Sequence, residues 1–255
     1  MAKVVNAEVY FVASPFVDDD GIADYLRSIG AEWQSNAASG DDFFMEVAGR
    51  VCYKSFGTEL NKNLTRVRDD NAEYLGNIIK SGHGRILEHI NCSFIIHNVS
   101  RVFTHEFITH KVGTTQSQES LRFVRLDELR VYVPDVMKKY NMDEYFLRKM
   151  QELEEWQREM SLMFKLDEKS FEEKKIITSA MRRLAPMGLC TTVMWTANLR
   201  AIRHILEQRT NRHAEEEIRK VMDQVGSIMQ ERFQVVFEDF SRNDIGEWKA
   251  KYAKV

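Results

Sequence analysis

The sequence predicts an α+β fold in which long helices wrap a small mixed or antiparallel sheet. Composition favours helix, because the 255 residues contain only 3 prolines and 12 glycines alongside many Leu, Met, Glu, Lys and Arg. Strand is favoured in a few short segments, most clearly at residues 90–98, where apolar side chains occupy alternate positions. A chain of this length buries a sizeable core, so we expect a single domain over residues 1–255.

The first eighty residues predict one strand and three helices. We expect a strand at residues 8–12, a short helix at 22–29 that stops at Gly30, and a polar loop at 31–42. Helices follow at 43–51 and 61–80, and the glycines that flank His83 end the second of them.

The central stretch, residues 83–122, combines the clearest strand with a helix and a polar loop. Ser100 follows the strand and is placed to cap a helix that ends at His110-Lys111. A loop rich in Gly, Thr, Gln and Ser then leads to Arg122. This arrangement suits a phosphorylated ligand. Equally, it is a helix end whose cations complement the helix dipole, followed by a solvated loop.

The second half predicts mostly helix. We expect a strand within residues 128–134 and amphipathic helices at 143–165 and 171–184. Residues 189–196 are either a buried strand or the approach to the next helix. Asn198 is placed to cap a helix over 199–209 that continues into 213–237, and the polar tail from Asp239 is expected to be peripheral.

Charge and hydropathy argue against several classes of protein. The net charge of −3 does not suit a general nucleic-acid binder, and no apolar run reaches the roughly 18 residues of a membrane helix. The N-terminus lacks the pattern of a signal peptide. Cys52, Cys92 and Cys190 are odd in number and lie in apolar runs, so we expect reduced core cysteines in a cytoplasmic protein.

Motifs of several common chemistries are missing from the sequence. No Gly-x-Ser-x-Gly turn presents a serine, and Cys190 has no neighbouring base. There is no Gly-x-Gly-x-x-Gly motif and no P-loop, and the histidine spacings match no strong zinc pattern, so no metal is predicted.

Arginines set in apolar helical segments are the remaining chemical signal, namely Arg182, Arg183, Arg200, Arg203 and Arg209. Burying an unpaired charge is costly, so each of these side chains needs a partner. The partners are either the glutamates at 215–217, or a phosphate and a polar ring that bind guanidinium groups through paired hydrogen bonds.

Two blocks of sequence together resemble the flavin-dependent thymidylate synthases. The first block contains HGRILEH at 83–89, VSR at 99–101 and SLR at 120–122, with His110 between them. The second contains residues 182–186, WTANLR at 195–200 and LEQR at 206–209, and it extends to residue 219. The resemblance covers a core of about residues 43–235.

The resemblance implies the fold of that family, FAD as cofactor, and a homotetramer whose active sites draw on several subunits. It also implies methylation of C5 of dUMP, with methylenetetrahydrofolate as carbon donor and NADPH as reductant. No enzyme cysteine takes part in that reaction, which suits the poor supply of nucleophiles. The reduced flavin would carry the difficult chemistry, while the protein binds and orients.

The resemblance further implies roles for individual residues. The flavin would be bound by His83, Glu88, Thr109, His110, Lys111, Asn198, Arg200 and His204. The nucleotide would be bound by Glu106, Gln118, Ser120, Arg122, Arg182 and Arg209. Arg209 would also be catalytic, because a guanidinium at the pyrimidine ring stabilises charge that develops on the base.

The chain departs from the family pattern at several of these positions. The family signature is Arg-His-Arg, then seven residues, then Ser; here Thr109-His110-Lys111 is followed by Ser120 one residue late. Thr109 carries no charge, and Lys111 is a point charge in place of a planar fork. The other differences are Glu106 for the usual Gln, Gln118 for Glu, His204 for Asn and Cys52 for Ser.

Three hypotheses follow from the resemblance and its departures. The first is a dUMP methylase with an unusual signature. The second is a relative that methylates another pyrimidine nucleotide, such as UMP or dCMP, because the changes at Glu106 and Gln118 alter the donors and acceptors around the ligand. The third is a non-catalytic homologue that binds flavin or nucleotide.

Overall fold

A four-stranded antiparallel sheet lies at the centre of the computed structural model, which describes residues 2–57, 66–122, 126, 128–252 and 255. In spatial order its strands are β2 (Glu8–Ala13), β3 (Asn91–Ser100), β6 (Cys190–Asn198) and β4 (Thr114–Gln118). Two smaller pairs are β1 (Lys3–Val4) parallel to β5 (Arg130–Val131), and β7 (Phe240–Arg242) antiparallel to β8 (Trp248–Ala250).

The described residues also form α-helices around this sheet. They are α1 (Asp19–Ser28), α2 (Gly40–Tyr53), α3 (Asn71–Lys80), α4 (Arg101–Phe107), α5 (Asp135–Lys139), α6 (Asp143–Met163), α7 (Phe171–Met181), α8 (Leu199–Arg209), α9 (Glu216–Arg232) and α10 (Gln234–Phe237). Short 3-10 helices span Gly84–His89, Leu166–Glu168 and Arg182–Leu184. A small antiparallel sheet wrapped by helices confirms the predicted fold class.

Alternating burial explains why β3 and β6 pair. Phe94 and Trp195 are fully buried and face each other in register, with ring centroids 5.2 Å apart. The next inward pair, Ile96 and Val193, is buried as well. Because the buried positions of residues 190–198 recur every second residue, this segment is a strand and not the approach to a helix.

The inner face of the sheet packs against α8 and α9. Both helices place an apolar stripe on the core, with fully buried Ile202 and Ile205 on α8 and Val221 and Val225 on α9. Burial of this kind contributes about 1.5–3 kcal/mol per large apolar side chain. The interpretation of residues 1–255 as a single domain stays a prediction.

Several predicted boundaries need correction. The helix predicted at 61–80 begins only at Asn71, where Asp70 caps it by accepting a hydrogen bond from the Glu73 N–H; residues 61–65 lie outside the described part of the chain. The strand expected at 128–134 is reduced to Arg130–Val131. Other predicted helices, at 22–29, 43–51, 143–165 and 171–184, are confirmed with ends that move by at most three residues.

The segment after Lys111 is a strand, although its composition predicted a solvated loop. It forms β4, which pairs with β6 so that Gln116 lies opposite Trp195. Gly113, with φ of +70°, turns the chain into this strand. Its polar residues concealed the strand because β4 is at the edge of the sheet and has one face in solvent.

The C-terminal residues are part of the core, so the prediction of a peripheral tail is wrong. The long helix predicted over 199–237 is interrupted after Arg209, and again at Phe233. From residue 240 the chain forms the β7–β8 pair, whose Trp248 is buried against α9. A Cβ at Gly226 would lie 2.5 Å from the Trp248 ring, so only glycine admits this contact.

The buried arginine of α8 finds its partner in this C-terminal region. Arg203 is 2% exposed and pairs with Asp239, with Nη1–Oδ1 and Nη2–Oδ2 distances of 2.7 and 3.0 Å. The glutamates at 215–217 were one of two alternatives for the partners of the arginines, and Arg200, Arg203 and Arg209 pair with other carboxylates. Glu215 caps α9, Glu216 bonds Tyr132 and Lys220, and Glu217 bonds Ser100.

The cysteines separate into two environments. Cys92 and Cys190 are buried and unpaired, as predicted for reduced core cysteines, and burial raises the pKa of both thiols. Cys52 is exposed, which corrects its assignment to the core.

Among the described residues, no helix is both long enough and apolar enough to cross a membrane.

Glu217 links the start of α9 to the start of α4. It is 1% exposed, and its two carboxylate oxygens accept hydrogen bonds from the backbone N–H and the hydroxyl of Ser100. Burial raises the pKa of Glu217 from 4.5 to about 7, although the Ser100 hydrogen bonds oppose the rise. The folded chain therefore holds this proton more tightly than the unfolded chain does.

We expect Glu217→Gln to become more stable relative to wild type as the pH rises from 5 to 8. A carboxyl with a raised folded pKa loses stability as the pH passes from its unfolded to its folded pKa, at about 1.4 kcal/mol per pKa unit. Urea unfolding of both proteins at several pH values measures this difference. The same change at exposed Glu231 on α9 is the control. A pH-independent difference between Glu217→Gln and wild type would contradict the expectation.

Candidate functional site

Two N-caps orient the helices that carry the candidate site. At the end of β3, the Ser100 hydroxyl accepts a hydrogen bond from the Phe103 N–H (3.3 Å) and starts α4. At the end of β6, Asn198 Oδ1 accepts one from the Ala201 N–H (2.8 Å) and starts α8. Both caps were predicted. Because β3 and β6 are antiparallel, the helices leave opposite ends of the sheet, and Arg209 at the end of α8 meets the end of α4.

Arg209 is tied to the end of α4 through all three of its guanidinium nitrogens. Nε donates to His110 Nε2 (2.6 Å), Nη1 to Glu106 Oε2 (3.1 Å) and Nη2 to Thr109 Oγ1 (3.1 Å). The structure thus brings together four of the predicted site residues, which we call the Arg209 cluster. The Glu106 carboxylate neutralises Arg209 where both side chains are partly buried, 34% and 22% exposed.

His110 is neutral in the Arg209 cluster. Burial, the charge of Arg209 and the neighbouring His204 lower the pKa of the imidazole to about 4. Since Nε2 accepts the hydrogen bond from Arg209, the proton of the neutral ring lies on Nδ1. His110 therefore serves as an acceptor on one side and a donor on the other across the physiological pH range.

Thr109 replaces a signature cation with a bridging hydroxyl. Its Oγ1 donates to the Glu106 carbonyl (2.7 Å) while accepting from Arg209. Lys111, two residues on, is exposed, and its ammonium group makes no ion pair within the described part of the chain. At this end of α4, Glu106 therefore compensates the charge of Arg209, whereas the charge of Lys111 is available to a ligand.

A second group of predicted residues lies along the exposed side of α8. Arg200 donates to Glu88 on the 3-10 helix Gly84–His89 (2.5 Å), and His204 lies one turn further along α8. We call Glu88, Asn198, Arg200 and His204 the α8 face. Gly113 packs closely here, because a Cβ at this position would lie 2.5 Å from Asn198 Nδ2. Exposed guanidinium and imidazole donors on this face fit the phosphates and ring of a flavin nucleotide.

His83 faces a different pocket. Its Nδ1 is hydrogen-bonded to the Tyr53 hydroxyl, and the two rings stack with centroids 5.4 Å apart. Both residues line a pocket of about 630 Å³. Its other lining residues include Arg66, Arg68 and Tyr74. No residue of the α8 face lines this pocket, although Gly84, next to His83, lies close to the Arg200 guanidinium of that face.

Gln118 and Arg182 line one pocket of about 660 Å³, which we call the Arg182 pocket. It lies between α4 and the segment that follows α7. Gln118 Nε2 donates to Thr104 Oγ1 (3.2 Å), which holds the amide against α4. The Arg182 guanidinium is exposed and makes no hydrogen bond or ion pair with any residue that the structure describes. It is therefore a cation available to an anionic ligand.

Ser120 and Arg122 lie outside the Arg182 pocket. The Ser120 hydroxyl accepts from the Arg122 N–H (3.3 Å), and the Arg122 carbonyl accepts from the Thr178 hydroxyl (2.9 Å). The Arg122 side chain is exposed. Ser120 and Arg122, which the resemblance assigns to the nucleotide together with Arg182, are thus not among the described residues that line the Arg182 pocket.

Several residues that line the two pockets were not assigned to a site from the sequence. Tyr53 lines the pocket of His83, while Arg101, Thr104 and His105 line the Arg182 pocket. Of these four residues, only Arg101 could have been identified from the sequence, because it belongs to the VSR segment at 99–101. The others become visible only when distant segments meet.

Three histidines are hydrogen-bonded to partners in different parts of the fold. His83 contacts Tyr53, His97 contacts Thr192 and Arg130, and His110 contacts Arg209. Groups of three or more His, Cys, Asp or Glu side chains suited to a metal ion do not occur among the described residues.

Comparison with known structures supports the fold. A UMP/dUMP methylase, PolB from Streptomyces cacaoi, was solved with 5-Br UMP bound. It superposes with a TM-score of 0.60 over 93% of this chain and 95% of that chain, at 17% sequence identity. At this identity the likeness establishes a shared fold.

Comparison with known sequences establishes the family. The family model described as "Thymidylate synthase complementing protein" matches residues 35–233. A flavin-dependent thymidylate synthase of Corynebacterium diphtheriae is 31% identical over 226 residues, which cover 86% of each chain. That of Corynebacterium glutamicum is 32% identical over 247 residues, 94% of this chain and 92% of the relative. The resemblance predicted from the two sequence blocks is confirmed, and the chain belongs to the flavin-dependent thymidylate synthase family.

Proposed function

We propose that this protein transfers a one-carbon unit to C5 of a pyrimidine nucleotide, with dUMP as the foremost substrate. The observation that carries the proposal is the Arg209 cluster, in which the second family block meets the altered signature at Glu106, Thr109 and His110. Methylenetetrahydrofolate is the proposed carbon donor, NADPH the reductant and FAD the cofactor. A cytoplasmic location and one domain over residues 1–255 complete the proposal.

The residues of the α8 face, with Thr109, His110 and Lys111, are proposed to hold FAD. Arg200 and Lys111 supply cations for the diphosphate, and His204 and Asn198 supply neutral polar groups. Bound flavin supplies the redox chemistry that reduces the transferred carbon. The chain's own contribution is to bind and orient, and neutral His110, whose Nε2 accepts from Arg209, offers its Nδ1–H as a fixed donor at that position. His83 is proposed to reach the flavin from the pocket that it shares with Tyr53.

The nucleotide is proposed to lie between the Arg182 pocket and the Arg209 cluster. Arg182 supplies a cation without a partner in the described chain, and Gln118 supplies a fixed amide. Arg209 is proposed to polarise a ring carbonyl of the pyrimidine as negative charge develops on the base. Of its five N–H groups, those used within the Arg209 cluster leave capacity for a further hydrogen bond.

A substrate other than dUMP is the second candidate, and the state of Glu106 favours it. In this chain a carboxylate compensates the charge of Arg209, whereas the family's usual amide would leave that charge uncompensated. Since the charge and hydrogen-bonding groups at the ring differ, UMP or dCMP remains in consideration as the substrate. A protein that binds flavin or nucleotide without catalysis is the third candidate.

A homotetramer is proposed because the described residues of one chain that the resemblance assigns to the site do not line a single pocket. Ser120 and Arg122 do not line the Arg182 pocket, and no residue of the α8 face lines the pocket of His83. Residues of one subunit would then complete the phosphate or flavin site of another, so that Ser120 and Arg122 join Arg182 from a neighbouring copy. The measured mass of the purified protein in solution tests this assembly.

The direct test is tritium release from C5-labelled dUMP, UMP and dCMP, with FAD, methylenetetrahydrofolate and NADPH supplied. Release requires loss of the C5 proton, so it reports the reaction and the substrate together. We expect release from dUMP. Release mainly from UMP or dCMP would identify the second candidate, and no release from any of the three would favour a binding protein.

Arg209→Ala is expected to lower turnover by about a hundredfold or more, because it removes the group that stabilises charge on the base. Loss of flavin should be modest. The pKa of His110 should rise towards its usual value of 6.5, since the neighbouring positive charge is gone. Rapid-quench turnover and NMR titration of His110 measure both effects. Gln208→Ala, exposed on the same helix, is the control. Turnover that survives in Arg209→Ala would make Arg209 structural.

Lys111→Ala is expected to weaken FAD retention about tenfold, because a charge-assisted hydrogen bond to the diphosphate contributes roughly 1.5–3 kcal/mol. Flavin fluorescence during dialysis measures retention. Lys249→Ala, on exposed β8 sequence, is the matched control. Equal FAD affinity in Lys111→Ala and wild type would place Lys111 outside the cofactor site.

A further inference from the structure

Gln157 lies in the second half of α6, and none of the roles described so far uses it. Its side chain is 1% exposed, although amide side chains are mostly found at the surface. The Nε2 atom donates to the carbonyl of Met181 (3.2 Å), the last residue of α7. Carbonyls at the end of an α-helix lack a partner within that helix, so this bond holds the end of α7 against α6.

The oxygen of the same amide is unsatisfied. Because a carbonyl only accepts hydrogen bonds, it is Nε2 of Gln157 that faces Met181, and Oε1 lies on the other side of the amide group. Oε1 is buried and has no hydrogen-bond partner among the described residues. A buried acceptor without a donor costs about 1–3 kcal/mol. A methionine would fill the same space without this cost, so the arrangement suits a donor that reaches Oε1 in another state of the protein.

Gln157 lines a cavity of about 240 Å³ beside α6 and α7, which we call the α6–α7 cavity. Leu121, Leu166 and Met181 make much of its wall apolar. Arg182 is the one charged side chain among the described residues that line it. Arg182 is therefore the group best suited to supply the donor that Gln157 Oε1 lacks.

Arg182 contributes to two neighbouring spaces. It follows Met181 directly and lines both the α6–α7 cavity and the Arg182 pocket. Its guanidinium has no hydrogen bond or ion pair with any residue that the structure describes. A guanidinium has five N–H donors, of which a phosphate takes two in a paired contact. Donors remain for a protein acceptor, so one guanidinium can bond to an anion and to Gln157 Oε1 at the same time.

We propose that Gln157 is a positioning residue for Arg182. Through Met181 it fixes the backbone from which the Arg182 side chain extends. Through Oε1 it orients the guanidinium when that group binds the phosphate of the pyrimidine nucleotide. This inference rests on the proposed function and adds to it a residue that does not touch the substrate. An arginine oriented by a second hydrogen bond is preorganised, and preorganisation raises affinity.

The test compares ligands with and without phosphate on variants of the full chain. Gln157→Met keeps the length of the side chain and removes both hydrogen-bonding groups. Gln151→Met is the matched control, because Gln151 lies on the same helix and does not line the α6–α7 cavity. Calorimetry measures binding of dUMP, UMP and dCMP, and competition by the matching nucleosides gives their affinities.

Gln157→Met is expected to weaken nucleotide binding on the order of tenfold, as loss of a hydrogen bond to a charged group implies, with nucleoside affinity unchanged. Thermal unfolding without ligand shows whether the variant is folded. Its midpoint should lie close to that of wild type, because removal of an unpaired acceptor offsets loss of the bond to Met181. Gln157→Asn, whose amide is one methylene shorter, is the second variant and should weaken nucleotide binding in the same way.

Dependence on Arg182 is the readout that a purely structural role would not change. In an Arg182→Met background, Gln157→Met should leave nucleotide affinity as it is, since Gln157 acts through the guanidinium. An undiminished effect in that background, equal losses for nucleotide and nucleoside, or no loss at all would overturn the assignment, while nucleotide binding by wild type leaves the proposed function standing. Wild type that binds none of the three nucleotides would overturn both.

Discussion

The antiparallel pairing of β3 with β6 is the constraint on which the rest of the structure depends. The buried contact of Phe94 with Trp195 fixes the register of the two strands, and a slip of one residue would turn every inward side chain to the other face. Each strand ends on the residue that caps a helix, Ser100 for α4 and Asn198 for α8. The register therefore determines where both helices begin, and hence where Arg209 meets the end of α4.

The arginines in and around the candidate site differ in whether a carboxylate of the protein compensates their charge. Arg203 is buried and paired with Asp239, so it stabilises the fold and is closed to ligands. Arg209 is partly buried and neutralised by Glu106, which suits a group that acts on a polar ring. Arg182 is exposed and has no hydrogen-bond or ion-pair partner in the described chain, which leaves it available to an anionic ligand. Burial and the presence or absence of a carboxylate partner thus distinguish arginines that look alike in the sequence.

Local signals in the sequence predicted local structure well. Caps at Ser100 and Asn198 and the alternation in β3 depend on neighbours in the chain, so they could be recognised there. β4 could not, because its polar edge strand exists only through pairing with β6. The role of the C-terminal residues was also hidden, since Trp248 is buried only where Gly226 admits it.

The candidate site was predicted from family positions, and the structure adds how those positions are grouped. Glu106, Thr109, His110 and Arg209 come together, whereas His83 lies with Tyr53 and Ser120 with Arg122 lies outside the Arg182 pocket. Such grouping depends on packing between distant segments, which spacing in the sequence does not encode. Arg101 illustrates this, because only the folded chain shows that its buried Nε has no hydrogen-bond partner among the described residues.

The edge position of β4 limits how the signature can vary in length. Side chains alternate along a strand, so one residue inserted between Gln116 and Gln118 would place the two amides on opposite faces of β4. The same insertion at Gly113, where the chain turns with positive φ, or after Gln118 would leave both amides in place. The extra residue before Ser120 is therefore tolerable only at the two ends of the strand. The number of residues between the signature and Ser120 can therefore change only where β4 begins or ends. Family members with a different number should keep the strand and differ in length at Gly113 or after Gln118.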